Sequence, residues 1–310
     1  MAAPEETTAR PLEHDSAAAL PFETHDTGAL YVTGEHIAVA GERSLATGPL
    51  GSTILRVATP AVASMLLMTV FASVDAFWVG TRIGSAGLAA VTAAVFWIWL
   101  IVSIAEMVSV GLTAVAARRR GEGRPAEAAR VAGDALALTL ALGAAVAVLG
   151  LAILPRLFAL MGTPPDVTLL GARYLGTYLI GAPLIFGFFV VDAAFRAAGD
   201  TRTPFLLLST SVVATLVLDP VLILGLLGAP TLGIRGAAIA TLATRGIVFV
   251  IGLVLLRRRA MIRFGAPRAH AMKSILRVGL PTATTGVAFA LIYVVITRIA
   301  TPFGTPALAA

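Results

Sequence analysis

Seven stretches of this chain carry almost no charge over about 20 residues or more, the length that crosses a bilayer as a helix. They lie near residues 54–80, 87–117, 127–155, 168–196, 203–228, 234–256 and 276–300. Inside hydrocarbon only a helix or a closed barrel satisfies all of its own backbone polar groups. A barrel would show short alternating segments, which are absent here. Charged residues make up 13% of the 310 positions, where a soluble domain has about a quarter. The chain is therefore expected to be an all-α membrane protein with the lipid bilayer as its solvent. It has no cysteine, which excludes disulfides and thiolate metal sites. No Gly-rich phosphate loop with a following Lys occurs, so nothing supports ATP-driven transport. No cofactor is expected.

Residues 1–50 differ from the rest. They hold eight acids against Arg10 and Arg43 and contain no apolar core of a secretory signal. A disordered acidic tail is expected there. The other 260 residues carry 21 Lys or Arg and nine acids. That balance suits a membrane surface and does not argue for nucleic acid. The second, fourth and sixth connections between spans hold 14 Lys or Arg, from Arg118 to Arg277. The first, third and fifth hold four: Arg82, Arg156, Arg173 and Arg235. The excess places the even-numbered connections and the N-terminus in the cytoplasm, for a multi-pass protein of the cell (plasma or inner) membrane.

The first span has a degraded copy at the far end. ILRV-x-x-P recurs at an offset of 221, from Arg56 to Arg277 and Pro60 to Pro281. T-x-x-G-x-x-x-LAA recurs at an offset of 220, from Thr81 to Thr301 and Gly84 to Gly304. Spans 1 and 7 cross in the same direction, so the copies are parallel repeats related by an axis along the membrane normal. The expected organisation is a tail over 1–50, a six-helix lobe over 51–260 and a cytoplasmic inter-lobe connection over 261–274. Residues 275–310 would then open a second lobe that is cut short after its first helix, with about 130 further residues needed to complete it.

Four acids sit well inside apolar spans: Asp75, Glu106, Asp192 and Asp219. An intramembrane acid costs a few kcal/mol or more unless it faces a partner or a cavity, so each is a candidate functional residue. Asp75 on span 1, Asp219 on span 5 and Thr241 on span 6 all fall about 7–14 Å below the outer surface at 1.5 Å rise per residue. Thr215 lies one turn before Asp219 on the same helix face. Pro220 lacks an amide hydrogen and can bend span 5 beside the acid. Two carboxylates and two hydroxyls suit a small hard cation such as Na⁺, held at Asp75 and Asp219, or an exchangeable proton. Asp192 precedes Arg196 by one turn, the spacing of an ion pair. Glu106 in span 2 and Arg245 in span 6 are both mid-span, and a neutralising pair between them is expected. These last four residues also mark a candidate substrate path. Met65, Met68, Phe71, Trp78, Trp97 and Trp99 could wall a pocket for flat organic cations, although helix packing uses the same residue types. The histidines His14, His25, His36 and His270 lie outside the spans with no metal-ligand spacing.

The motifs P-(x)n-VD-x-x-x-VG in span 1, FRAAGDTRTP at 195–204, LDP at 218–220 and GIRGAAIAT at 233–241 together resemble the multidrug and toxic compound extrusion (MATE) family. The resemblance covers about 54–310. It implies twelve helices in two six-helix lobes around a cleft, and efflux of drugs or organic cations in exchange for Na⁺ or H⁺. It also implies a cation site in the N-terminal lobe, and Asp75, Thr215, Asp219 and Thr241 match its positions. Thr215 stands where the family commonly has Asn, Ala72 replaces another common Asn, Asp192 sits where Asn is frequent, and Arg245 where Gln is frequent. The carboxylates are thus kept while the amide ligands change. A monomeric secondary transporter without enzymatic activity is expected. The alternatives are a lipid-linked oligosaccharide flippase or polysaccharide exporter of the same two-lobe plan and, more remotely, a non-transporting fragment or an integral membrane enzyme.

Overall fold

The apolar runs fold into eight helices rather than seven, because one of them breaks. The computed structural model describes residues 50–228 and 230–303. The acidic tail expected over 1–50, apart from Leu50, lies outside the described residues, as does the end of the repeat over 304–310. The helices are α1 (Leu50–Ile83), α2 (Ser85–Gly121), α3 (Pro125–Met161), α4 (Pro165–Ile180), α5 (Ala182–Ala197), α6 (Arg202–Leu224), α7 (Ile234–Arg258) and α8 (Ala269–Ala300). There is no strand among the described residues. Six helices are each long and apolar enough to cross a membrane, and α4 with α5 passes the same test as one bent span. The chain is an all-α membrane protein, a six-span lobe followed by a seventh span.

The fourth expected span, 168–196, is bent by 55° between α4 and α5. The cause is local. Pro183 has no amide hydrogen for the Leu179 carbonyl, so the ladder cannot run on. Gly181 sits at the break, where a Cβ would lie 2.1 Å from the Leu242 side chain on α7. The chain turns at the one residue that lets α7 come this close. Pro220, by contrast, lies within the continuous helix α6.

Small residues set the helix spacing. Lipid supplies little hydrophobic drive between helices, so close backbone packing must hold them together. The most extensive helix–helix contact is α2 with α8. There a Cβ on Gly111 would lie 2.1 Å from the Ile275 carbonyl oxygen, and one on Gly279 would lie 1.8 Å from that of Met107. Phe96 and Tyr293 stack across the same interface at 4.3 Å. Two buried apolar clusters fill the bundle: one around Trp97, Phe158, Leu175 and Phe186, the other around Leu112, Phe195, Phe249 and Ile275. Outward faces expose large apolar side chains, such as Leu149 on α3 and Leu291 on α8, as lipid contact requires.

The connection from α7 to α8 is fastened to α3. Asp134, 2% exposed, accepts from the Arg268 guanidinium at 2.8 Å and from its backbone amide at 3.3 Å. Arg130 donates to the Ala266 carbonyl at 2.6 Å, and the Arg263 amide to that of Ala129 at 2.9 Å. Between α5 and α6, Asp200 accepts from the amides of Arg202 at 3.1 Å and Thr203 at 2.9 Å, and from Arg259, just past the end of α7, at 2.8 Å. Burial alone would raise its carboxyl. The Thr203 and Arg259 hydrogen bonds outweigh burial and hold it below the ordinary carboxylate value.

Two stability experiments follow from this packing. Gly279→Leu should force α2 and α8 apart and cost about 1–3 kcal/mol. Gly121→Ala, where a Cβ meets nothing within 4 Å, should be neutral or slightly stabilising; melting curves in detergent compare the two. Asp200→Ala should cost about 1 kcal/mol through the lost cap. Because the folded-state pKa is depressed, that difference should be full at neutral pH and close as pH falls through the folded-state value, read from melting curves against pH.

Candidate functional site

Three mutually packed helices, α1, α6 and α7, carry the acids and hydroxyls singled out from the sequence. Asp219 on α6 is fully buried, and neither carboxylate oxygen has a hydrogen-bond partner among the described residues. Asp75 on α1 is half-buried, and α1 packs against α6. Tyr174 of α4, a helix that packs on α7, is buried among apolar side chains. Thr215, one turn before Asp219, is buried and gives its hydroxyl to a network towards α7. It hydrogen-bonds the Ser211 carbonyl at 2.8 Å and the Thr244 hydroxyl at 2.7 Å. Thr241, half-buried on α7, makes no side-chain hydrogen bond among the described residues, and its carbonyl accepts from Thr244 at 3.2 Å.

These placements follow from helix geometry. Residues four apart share a face, so Ser211, Thr215 and Asp219 line one stripe of α6. Pro220 cannot donate to the Leu216 carbonyl, which leaves an acceptor near Asp219 without its helical partner. Sequence reasoning singled out Asp75, Thr215, Asp219 and Thr241 but passed over Thr244 and Tyr174. The signals were present: T-x-x-T at 241–244, and Tyr174 with Tyr178 one turn apart in a span otherwise poor in polar groups. The donor set is all oxygen. No group of three or more His, Asp or Glu that could hold a metal ion occurs among the described residues. Oxygen donors from two acids and nearby hydroxyls fit a small hard cation or a proton better than a transition metal.

A separate cavity of about 730 Å³ opens beside this cluster. The remaining sequence candidates, Glu106, Asp192, Arg196 and Arg245, all line it. Asp192 and Arg196 form the i,i+4 ion pair at 2.5 Å, and Arg196 also donates to the Ser109 hydroxyl at 3.2 Å. The expected Glu106–Arg245 pair does not form: no N···O contact within 4 Å joins them among the described residues. Arg245 instead lies 5.1 Å over the Phe188 ring and 3.6 Å from the Met68 sulfur. A mid-span guanidinium can settle on an aromatic face and a soft sulfur, and so need not reach for a carboxylate. Met65, Met68 and Trp99 line the cavity as expected of a pocket wall, together with Phe188, Phe189 and Phe289. Trp97 does not; its indole donates to the Met161 sulfur at 3.1 Å inside the core. Trp78 packs edge-on to Phe77.

The cavity thus holds one closed ion pair, one unpaired carboxylate and one guanidinium on an aromatic ring. Tyr178 lines it, while Tyr174, one turn earlier on α4, is buried in the apolar core.

The same architecture recurs in known proteins. The MatE family model matches residues 60–221. A probable multidrug resistance protein, YoeA of Bacillus subtilis (strain 168), is 29% identical over 259 residues, covering 81% of this chain and 56% of its own length. An FAD transporter of Shewanella oneidensis is 33% identical over 198 residues, covering 64% of this chain and 44% of its own length. The chain therefore spans about half the length of the curated relatives it matches. Among solved structures, a MOP superfamily transporter from Pyrococcus furiosus superposes with a TM-score of 0.72 at 28% identity, over 78% of this chain and 54% of that one. With residues 60–221, more than half of its length, matched by the family model, this chain belongs to the MATE family of transporters.

Proposed function

We propose that the protein is a secondary active exporter of drugs or organic cations, driven by influx of Na⁺ or H⁺ through Asp75 and Asp219. The observation that carries this reading is Asp219, fully buried on a helix packed against α1, with neither carboxylate oxygen hydrogen-bonded among the described residues. A carboxylate left so is poised for a proton or a hard cation. Thr215 and Thr241 supply hydroxyls from α6 and α7. The names of several relatives, probable multidrug resistance proteins, support the same direction. Glu106 and the aromatic walls of the cavity suit an organic cation. Loading of the acid pair would favour one arrangement of the protein, and substrate the other.

In this reading residues 51–260 form the lobe that holds the coupling site, and 261–274 lead into a second, parallel lobe whose first helix is α8. The protein sits as a monomer in the cell membrane with its acidic N-terminus in the cytoplasm. A second reading rests on Arg245, which lies in the cavity with no carboxylate oxygen within 4 Å among the described residues. Cavity-lining basic residues suit the phosphate of a lipid-linked oligosaccharide, as in a flippase or polysaccharide exporter.

Drug efflux from cells expressing the full-length protein separates these readings. Asp75→Asn and Asp219→Asn should each cut efflux about 5- to 150-fold, the range of typical coupling free energies. Undiminished efflux in both variants would sink the coupling role. Loss in Arg245→Gln alone would favour the flippase. Asp219→Asn should also melt higher than the parent in detergent. Removing an unpartnered buried charge relieves about 1–3 kcal/mol, or about 2–4 °C for each kcal/mol. A lower melting temperature would mean that Asp219 is a structural residue.

A further inference from the structure

A second pocket, of about 470 Å³, lies between α2 and α8 at the ends where most of the Arg and Lys gather. On α2 it is lined by Val115, Arg118 and Arg119, four, seven and eight residues beyond Gly111 and so on the same helix face. On α8 it is lined by His270, Lys273, Ser274, Arg277 and Val278, again one face. At Gly111 and Ile275 the two helices are in backbone contact. Within two turns of that contact both faces become basic.

Two positive faces pressed together are unfavourable unless an anion lies between them. The protein supplies too little negative charge. Glu122 serves both Arg118 at 2.9 Å and Arg119 at 3.1 Å, and Glu127 reaches Arg119 only at 3.8 Å. Lys273 and Arg277 are exposed, and no carboxylate lies within 4 Å of either among the described residues. The first turn of α8 contains no acid. Val115 and Val278 add apolar wall, and neighbouring turns of the same helices expose Val110 and Leu280. A basic pocket at the end of two spans with apolar surface beside it matches a phosphate head with acyl chains attached.

We propose that this pocket binds an anionic membrane lipid, with its phosphate held by Arg119, Lys273 and Arg277 and its chains lying along α2 and α8. Native mass spectrometry of the full chain in detergent, titrated with dioleoyl phosphatidylglycerol or dioleoyl phosphatidylcholine, tests it. Preferential retention of phosphatidylglycerol is expected. At about 1 kcal/mol for each basic residue near the headgroup, Lys273→Gln or Arg277→Gln should weaken it about fivefold and the double variant about thirtyfold. The charge-conserving Lys273→Arg/Arg277→Lys pair should keep the preference, as should Arg258→Gln, a basic position outside the pocket. Equal retention of the two lipids overturns the proposal, as does an unchanged double variant. Loss in Arg258→Gln as large as in the double variant would show a diffuse surface charge instead of a site. Binding of inorganic phosphate that depends on Lys273 and Arg277, without any preference for phosphatidylglycerol, would make the ligand a free phosphate and overturn the lipid.

Discussion

Hydrocarbon offers a buried polar group no water, so every such group in a membrane protein must find its partner inside the protein. The helices here obey that constraint almost throughout. Thr210, Ser209 and Thr297 turn their hydroxyls back onto carbonyls one turn earlier, each at 2.8 Å. Asp134 is closed by Arg268, and Asp192 by Arg196. Two side chains depart from the rule among the described residues, Thr139 through one hydroxyl and Asp219 through both carboxylate oxygens. A lone hydroxyl costs little. A carboxylate costs far more, and its retention where α6 packs against α1 and α7 is the physical basis for reading a coupling site there.

The same absence of water changes what holds the helices together. Burial of apolar surface gains little when the surroundings are equally apolar, so contact quality decides. The α2–α8 seam shows the result, with glycines facing carbonyl oxygens at Gly111 and Gly279 and a stacked Phe96–Tyr293 pair. The connection into α8 is anchored by Arg130, Arg263 and Arg268 on α3. The seventh span is therefore seated by small residues along its length and by polar bonds at its start. Neither depends on the hydrophobic effect.

Much of this was legible in the residues, because the spans are long and their punctuation is plain. The run at 54–80 became Leu50–Ile83, and that at 234–256 became Ile234–Arg258. The break in the fourth span was not read, although Gly181 and Pro183 announced it, because hydropathy is continuous across them. For the acids, depth along a helix can be counted from sequence, but rotation about the axis between packed helices cannot. Counting therefore put Asp75, Asp219 and Thr241 at one level, with Thr215 one turn from Asp219. It could not say that the Thr215 hydroxyl would meet Thr244. The Glu106–Arg245 pairing failed for a related reason. Both are mid-span and both line one cavity, yet the guanidinium settles on Phe188 and Met68, and aromatic and sulfur partners leave no charge pattern to read.

The two tyrosines of α4 have a mechanical meaning. Tyr174 is buried in the apolar core and Tyr178 stands in the cavity wall, and about 6 Å of helix joins them. Beyond Tyr178 the helix ends at Gly181, where the chain changes direction. One turn of helix thus ties core packing at Tyr174 to the shape of the cavity wall at Tyr178. A substitution that repacks the core there reshapes the cavity without touching any residue that lines it.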